Sequence, residues 1–268
     1  MANYRIPGPI CVEGQFFLKD NSTLARCLGE LPGPVCAESV VIDSEVLRCL
    51  QYYASDVSFL FRLCPAPVTG LSDRDYIDAA ATLRVEVAAI KAVAEVETSG
   101  EAFDESGRPR ILFERHYFHR LTAGKYSTTH VEISNKISGG YGKGSSQYGK
   151  LERAYRLDAD AALRSASWGR FQIMGDNYRA AGFNSASEFV LAMARSEAEH
   201  LKAFTSFVAN NNKMLVALRN KDWPAFAAAY NGAGYKKNNY DTKMKNAYDS
   251  FKKVSPAPAF CPGNNRLP

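Results

Sequence analysis

The sequence predicts a mainly α-helical fold of the α+β kind. It is a helical bundle around a cleft, with a small β hairpin, preceded by an irregular Cys-rich N-terminal segment. Three observations lead there. From Asp43 onwards apolar residues recur mostly at three- and four-residue steps, the period of one helix face. Residues 110–121 are instead rich in β-branched and aromatic side chains. The first forty residues follow neither pattern and are punctuated by Pro-Gly-Pro.

In chain order, residues 1–42 come first. Pro7-Gly8-Pro9-Ile10-Cys11 is echoed 25 residues later by Pro32-Gly33-Pro34-Val35-Cys36. Pro-Gly-Pro cannot sit inside a helix, so this segment is expected as extended chain and turns. It serves either as a docking or delivery segment or as a lid on the main domain. The six cysteines fall at 11, 27, 36, 49, 64 and 261. None forms a CxxC pair, which leaves zinc and thioredoxin-like readings without support. Five lie in the first quarter of the chain, where they either staple a segment too short to build a core or sit reduced in an apolar interior.

Residues 43–70 form a helical connector, in which Val46, Cys49, Leu50, Tyr53, Val57, Leu60 and Phe61 share a face. Cys64-Pro65-Ala66-Pro67 ends it. The main domain spans 71–254. Ser72 with Asp75 three residues on is a capping-box pattern, opening a long helix to about Val96. Residues 110–121 are expected as a short strand or hairpin. Ser138–Ser146 is Gly-rich without phosphate-loop spacing, and is expected as a flexible wall of a groove. Helices follow near 146–166, 185–210, 213–219, 222–231 and 240–253. Ser185 with Glu188, and Asp222 with Pro224, mark two of the starts. Residues 255–268 read as a tail.

Composition excludes several classes. Apolar content of 46% and charged content of 23% are those of an ordinary soluble globular protein. No apolar run reaches the roughly 18 residues that span a bilayer, so no membrane partner is expected. The N-terminus lacks the apolar stretch of a secretory signal. A net charge of +5 favours polyanionic partners such as nucleic acid, anionic lipid or the anionic bacterial wall, or marks a solvated helix face; no nucleic-acid motif accompanies it, and no nucleic acid is expected.

On the helix of residues 72–97, Leu83, Val87, Ile90 and Ala94 make one stripe, and the next position on it is Glu97. Glu95 lies ~200° around from it. A carboxyl on the buried face at a helix end is desolvated, which raises its pKa. A glycosidase needs such a group to protonate a leaving glycosidic oxygen.

Glu97-Thr98-Ser99-Gly100 followed by Phe103 resembles the Glu-Ser-x-Gly-Phe signature of lysozyme-like enzymes and lytic transglycosylases. Ser167-Trp168-Gly169-Arg170-Phe171-Gln172-Ile173 is similar to the Gly-Leu-Met/Phe-Gln-Ile motif lining the same cleft, and Ala229-Tyr230-Asn231-Gly232 to the Ala-Tyr-Asn-Gly motif beside the acid. Gly107–His116 and Tyr230-Asn231-Gly232-x-Gly234-Tyr235 with Asn239-Tyr240-Asp241-x-Lys243 bring the resemblance to the phage-type N-acetylmuramidase family, over residues 85–252. It implies a lysozyme-like fold, peptidoglycan glycan strands as substrate, no cofactor, a monomer, and Glu97 as catalytic acid. A second carboxylate is expected among Glu101, Asp104, Glu105 and Glu114, with Glu114 chosen because a β element would present it across the cleft. Gln172 and Asn231 are candidate substrate contacts. Tyr230 is expected to orient Glu97 or substrate. Tyr141, Trp168, Tyr235 and Tyr240 are candidate sugar-stacking rings, with Trp168 equally a core residue.

Other chemistries have less support. His116 and His119, read on a strand, point to opposite faces and do not chelate a metal together. Ser167 has no Gly-x-Ser-x-Gly context for a serine hydrolase. Lytic transglycosylation to 1,6-anhydro ends and an inert wall-binding protein are the alternatives. Two settings fit the resemblance: a phage endolysin, or an injected antibacterial effector with a cognate immunity protein. In either, the protein is made in the cytoplasm and acts on the wall after lysis or injection. The Cys-rich leader, faintly similar to leaders of contractile-injection effectors, leans towards the second.

Overall fold

The computed structural model describes residues 3–11, 36–43, 67–97 and 101–254. The helix expected within 43–70, the tail, four of the six cysteines (27, 49, 64 and 261) and the Thr98-Ser99-Gly100 part of the first motif lie outside these residues. Asn3–Cys11 (β1) and Cys36–Asp43 (β2) pair antiparallel, with Tyr4 opposite Ile42 and Cys11 opposite Cys36. The register shifts between Pro7 and Ile10, where prolines have no N–H to donate.

The remainder is helical around a three-stranded sheet. Helix α1 (Asp73–Leu83) starts on a full capping box: Ser72 Oγ accepts the Asp75 N–H, and the Asp75 carboxylate accepts the Ser72 N–H. The expected long helix stops at Leu83. Arg84 takes a left-handed φ of 55° and donates its N–H to Ala81 O, while Val85 donates to Ala80 O. That is a Schellman ending made without glycine. Helix α2 (Val87–Glu97) then starts in a new direction. Its Ala89, Ile90, Ala92, Val93 and Ala94 are all buried, as befits a helix enclosed by others.

Strand β3 (Ile111–Phe113) and helix α3 (Arg115–Leu121) follow, so the aromatic stretch is strand for three residues and helix afterwards. Helices α4 (Gln147–Leu157) and α5 (Ala159–Arg164) replace the expected single helix, because Asp158 turns extended and caps the Ala161 N–H. β4 (Ala166–Trp168) and β5 (Ile173–Met174) complete the antiparallel order β3-β4-β5.

Helices α6 (Ala186–Arg195) and α7 (Glu197–Ala209) are likewise divided, at extended Ser196. The backbone of Val68 bridges this break, donating to Arg195 O and accepting from Glu197 N. Helices α8 (Asn212–Asn220) and α9 (Trp223–Asn231) follow, the second capped by Asp222. Last is α10 (Tyr240–Val254), which packs along α2 and buries Met244 and Tyr248. Among the described residues no helix is long and apolar enough to cross a membrane.

Candidate active site

Helix α2 delivers Glu97 into a groove of about 700 Å³. Its carboxyl is largely enclosed by protein, and burial pushes its pKa up to about 7. One hydrogen bond opposes that shift: Asn231 Nδ2, at the end of α9, donates to Glu97 Oε1 at 3.2 Å. Tyr230 and Tyr240 also stand close enough to sense the charge, since burial first and Glu97 second raise both phenols. Tyr230 does not orient the acid as expected. Its hydroxyl donates to Phe171 O at 2.6 Å, and its ring stacks on Phe226 at 5.8 Å. It braces one groove wall from behind, and Asn231 is the residue that touches Glu97.

That wall is the β4–β5 turn. Gly169, with φ of 67°, donates its N–H to Arg110 O at 2.8 Å. A side chain at Gly169 would meet the His200 ring at 2.7 Å. His200 Nδ1 accepts the Arg170 N–H at 3.0 Å, and its Nε2 faces Met193 O at 2.6 Å, which fixes a neutral ring with the proton on Nε2. Burial pulls the His200 pKa down to about 4. Arg170 pairs with Glu197, whose other oxygen accepts the Gly70 N–H. Gln172 takes φ of 46°, and its amide is tied inward: Oε1 accepts from Ser167 Oγ, while Nε2 donates to Gly169 O and Arg110 O. It lines the groove by holding the turn rather than by offering a free amide. Trp168 is fully buried, with Nε1 on Leu163 O, so it is a core residue and stacks on no sugar.

The opposite lip is a hairpin in which Phe103 bridges Pro109. Asp104 pairs with Arg108, whose guanidinium lies 4.0 Å from the centre of the Tyr148 ring. Arg110 and Leu112 line the groove, and Glu114 is next but one along β3, as N-cap of α3. Glu114 itself is not among the lining residues, whereas Glu101, Asp104 and Glu105 are. Its carboxylate hydrogen-bonds the Tyr141 phenol, which burial first and Glu114 second raise in pKa. Oε2 of Glu114 lies 3.1 Å from His116 Nδ1 without hydrogen-bond alignment, so both atoms are buried with no hydrogen-bond partner.

The Gly-rich loop is held at several points. Lys150 Nζ donates to Gly140 O and Tyr141 O, Gln147 to Tyr141 O and Lys143 O, and Arg115 to Ile137 O. Tyr141 is therefore held against Glu114. Gly144 and Ser145 supply the groove wall.

His116 and His119 lie on α3, not on a strand, so the strand argument against joint chelation does not hold. Residues three apart on a helix are neighbours. His119 is engaged by Ser127 Oγ at 2.7 Å. Among the described residues no group of three or more His, Cys, Asp or Glu has metal-ligand geometry. Tyr235 is not among the described residues that line the groove. Sequence reasoning missed His200, Glu197 and Tyr148 as parts of the site, since no local motif links them to it.

A helical bundle around a small antiparallel sheet, with a desolvated carboxyl ending its central helix in a groove, is the architecture of a lysozyme-like glycan hydrolase. Residues 86–252 match the N-acetylmuramidase family, and the chain belongs to that family. It is a phage-type muramidase and a peptidoglycan hydrolase. The crystal structure of the Burkholderia AP3 phage endolysin is similar to it at 32% identity and a TM-score of 0.66, covering 95% of this chain and 99% of that one. No match was found among curated proteins.

Proposed function

We propose that this muramidase hydrolyses the β-1,4 bond between N-acetylmuramic acid and N-acetylglucosamine, with Glu97 as general acid and Glu114 as the second carboxylate. The observation that carries the reading is the Glu97 carboxyl in the groove, with a pKa of about 7 and one amide donor as its partner. Near neutral pH it holds a proton that it gives to the leaving glycosidic oxygen as the C1–O bond breaks. Positive charge then develops on the sugar ring. A carboxylate across the groove stabilises it or aligns the attacking water. Glu114 is offered for this role because one of its oxygens is buried and has no hydrogen-bond partner, and because it follows directly on the strand whose Ile111 and Leu112 line the groove. Asn231 hydrogen-bonds the acid and Tyr240 stands close enough to sense its charge, which makes both candidates for contact with the substrate beside it. The near-full-length likeness to a phage endolysin supports the endolysin setting, and the effector setting with its immunity protein draws no support from it.

The test is digestion of isolated peptidoglycan by wild type and Glu97→Gln, with the released muropeptides identified by mass spectrometry. Reducing N-acetylmuramic ends from wild type alone are expected. Anhydro ends, one water lighter, would move the assignment to lytic transglycosylase. Equal cleavage by Glu97→Gln would remove Glu97 from the mechanism.

A further inference from the structure

We infer that Arg110 forms a carboxylate subsite in the groove, which reads the acidic substituent on the lactyl ether of N-acetylmuramic acid. This rests on the muramidase reading and adds the part of the substrate that distinguishes muramic acid from plain N-acetylglucosamine.

Three arginines line the groove with Glu97: Arg108, Arg110 and Arg170. Two have counter-charges. The hairpin ladder sets Arg108 against Asp104, and Arg170 is paired with Glu197. One step along the same ladder, Arg110 donates its N–H to Ala102 O, so its cross-strand neighbour is an alanine. The Arg110 side chain is exposed, and among the described residues its guanidinium has no hydrogen bond or ion pair. Its backbone is fixed on both sides, because its carbonyl accepts the Gly169 N–H at 2.8 Å and Gln172 Nε2 at 3.3 Å. An uncompensated, planar, five-donor cation is thus carried on a fixed backbone position in the groove that holds Glu97.

Arg170 follows Gly169 directly, and its charge is already met by Glu197, so it leaves Arg110 as the arginine of the three without a counter-charge among the described residues. Glu101 and Glu105 line the same groove, so it is no general anion trap, and the attraction is local to Arg110.

A glycan strand is neutral along its pyranose rings. Its carboxylates sit at the lactyl group, either free or carried by the stem peptide amide-linked to it. Both sources share the planar, two-oxygen chemistry that a guanidinium binds through paired hydrogen bonds.

The experiment compares wild type, Arg110→Ala and Arg110→Lys on three substrates. These are intact peptidoglycan, peptidoglycan with its carboxylates capped as methylamides, and strands stripped of stem peptides by an amidase. On intact wall Arg110→Ala is expected to lose about tenfold in kcat/KM, mainly through KM, the scale of one charge-assisted hydrogen bond. Arg110→Lys is expected to fall between the two. Capping is expected to lower wild type to the level of Arg110→Ala and to leave that variant unchanged. Stripping removes the stem carboxylates and frees the lactyl one, so a loss that disappears there assigns the stem peptide alone, and a loss that persists shows that Arg110 takes the lactyl carboxylate as well. Equal activity of wild type and Arg110→Ala on intact wall overturns the inference, as does a loss of the same size on capped wall. Failure of wild type to cleave any of the three would instead overturn the muramidase reading.

Discussion

Asn231 donates its side-chain N–H to Glu97 across 134 residues of sequence, at 3.2 Å. It is the one hydrogen bond opposing the burial that raises the Glu97 pKa. In the proposed mechanism Glu97 works in its protonated form, so kcat/KM is expected to fall as pH rises through about 7. Removing the donor in Asn231→Leu favours the protonated form further and moves that alkaline limb upward. A pH–rate profile of both proteins on purified glycan strands checks the direction. An unmoved or lowered limb would dissociate Asn231 from the acid.

The same group costs stability. Its folded pKa lies above the ordinary carboxylate value, so its favourable contribution is complete below pH 4.5 and is lost as pH rises to about 7. Glu97→Gln does not titrate. It is expected to be more stable than wild type at neutral pH, on the order of 2 kcal/mol, with the gap closing towards pH 4.5. Urea unfolding at the two pH values measures this.

His200 runs the opposite way. Its folded pKa of about 4 is depressed from 6.5, so its stabilisation is present above pH 6.5 and drains away as pH falls towards 4. Protonation of Nδ1 removes the acceptor for the Arg170 N–H and repels the arginine beside it. Acid unfolding of wild type is expected to begin in this window. In His200→Gln, which keeps a neutral side chain of similar reach, the window is expected to flatten even though the variant is less stable overall.

Two glycines test the groove wall separately. A Cβ at Gly175 would lie 2.1 Å from Leu163 O, a backbone atom with no room to retreat. Gly175→Ala is expected to cost more than about 3 kcal/mol or to prevent folding. Gly169→Ala meets a side chain first, the His200 ring at 2.7 Å, together with a left-handed φ. It is expected to fold with a penalty of ~1–3 kcal/mol and to lose activity out of proportion, because the turn carrying Gln172 is displaced. Calorimetry alongside muropeptide release distinguishes the two.

At Arg84 the sign reverses. A residue with a Cβ is held left-handed there at ~1–2 kcal/mol, and Arg84→Gly relieves this against a smaller gain in unfolded-chain entropy. A net stabilisation of ~0.5 kcal/mol is expected, raising Tm by about 1–2 °C without touching activity.

Helix starts were legible in the sequence because their signals are local. Ser72, Ser185 and Asp222 each cap where their patterns place them. Helix stops were less so. The break at Arg84 uses no glycine or proline, and the one at Ser196 depends on Val68, more than a hundred residues earlier. Ser196 with Glu199 is itself a capping pattern, and Ser196 Oγ does accept the Glu199 N–H. It went unread inside a long apolar run. The position of Glu97 was legible from helical phase in part: it falls on the face of buried Ile90 and Ala94 and its carboxyl is desolvated, although Leu83 belongs to the preceding helix. Between the two readings of Trp168 the sequence could not choose, and the Phe171 partner of Tyr230 was not legible, because a motif names residues near a cleft without saying which way they point. Glu188 reaches past Ser185 to the Asn184 N–H, so half of that expected box is rewired.

Helix α10 is the wall that encloses α2, and Tyr240 at its start senses the charge on Glu97. Loosening that seam would admit water to the end of α2 and let the Glu97 pKa fall back towards the ordinary carboxylate range. The packing of these two helices therefore sets an acidity as well as a stability.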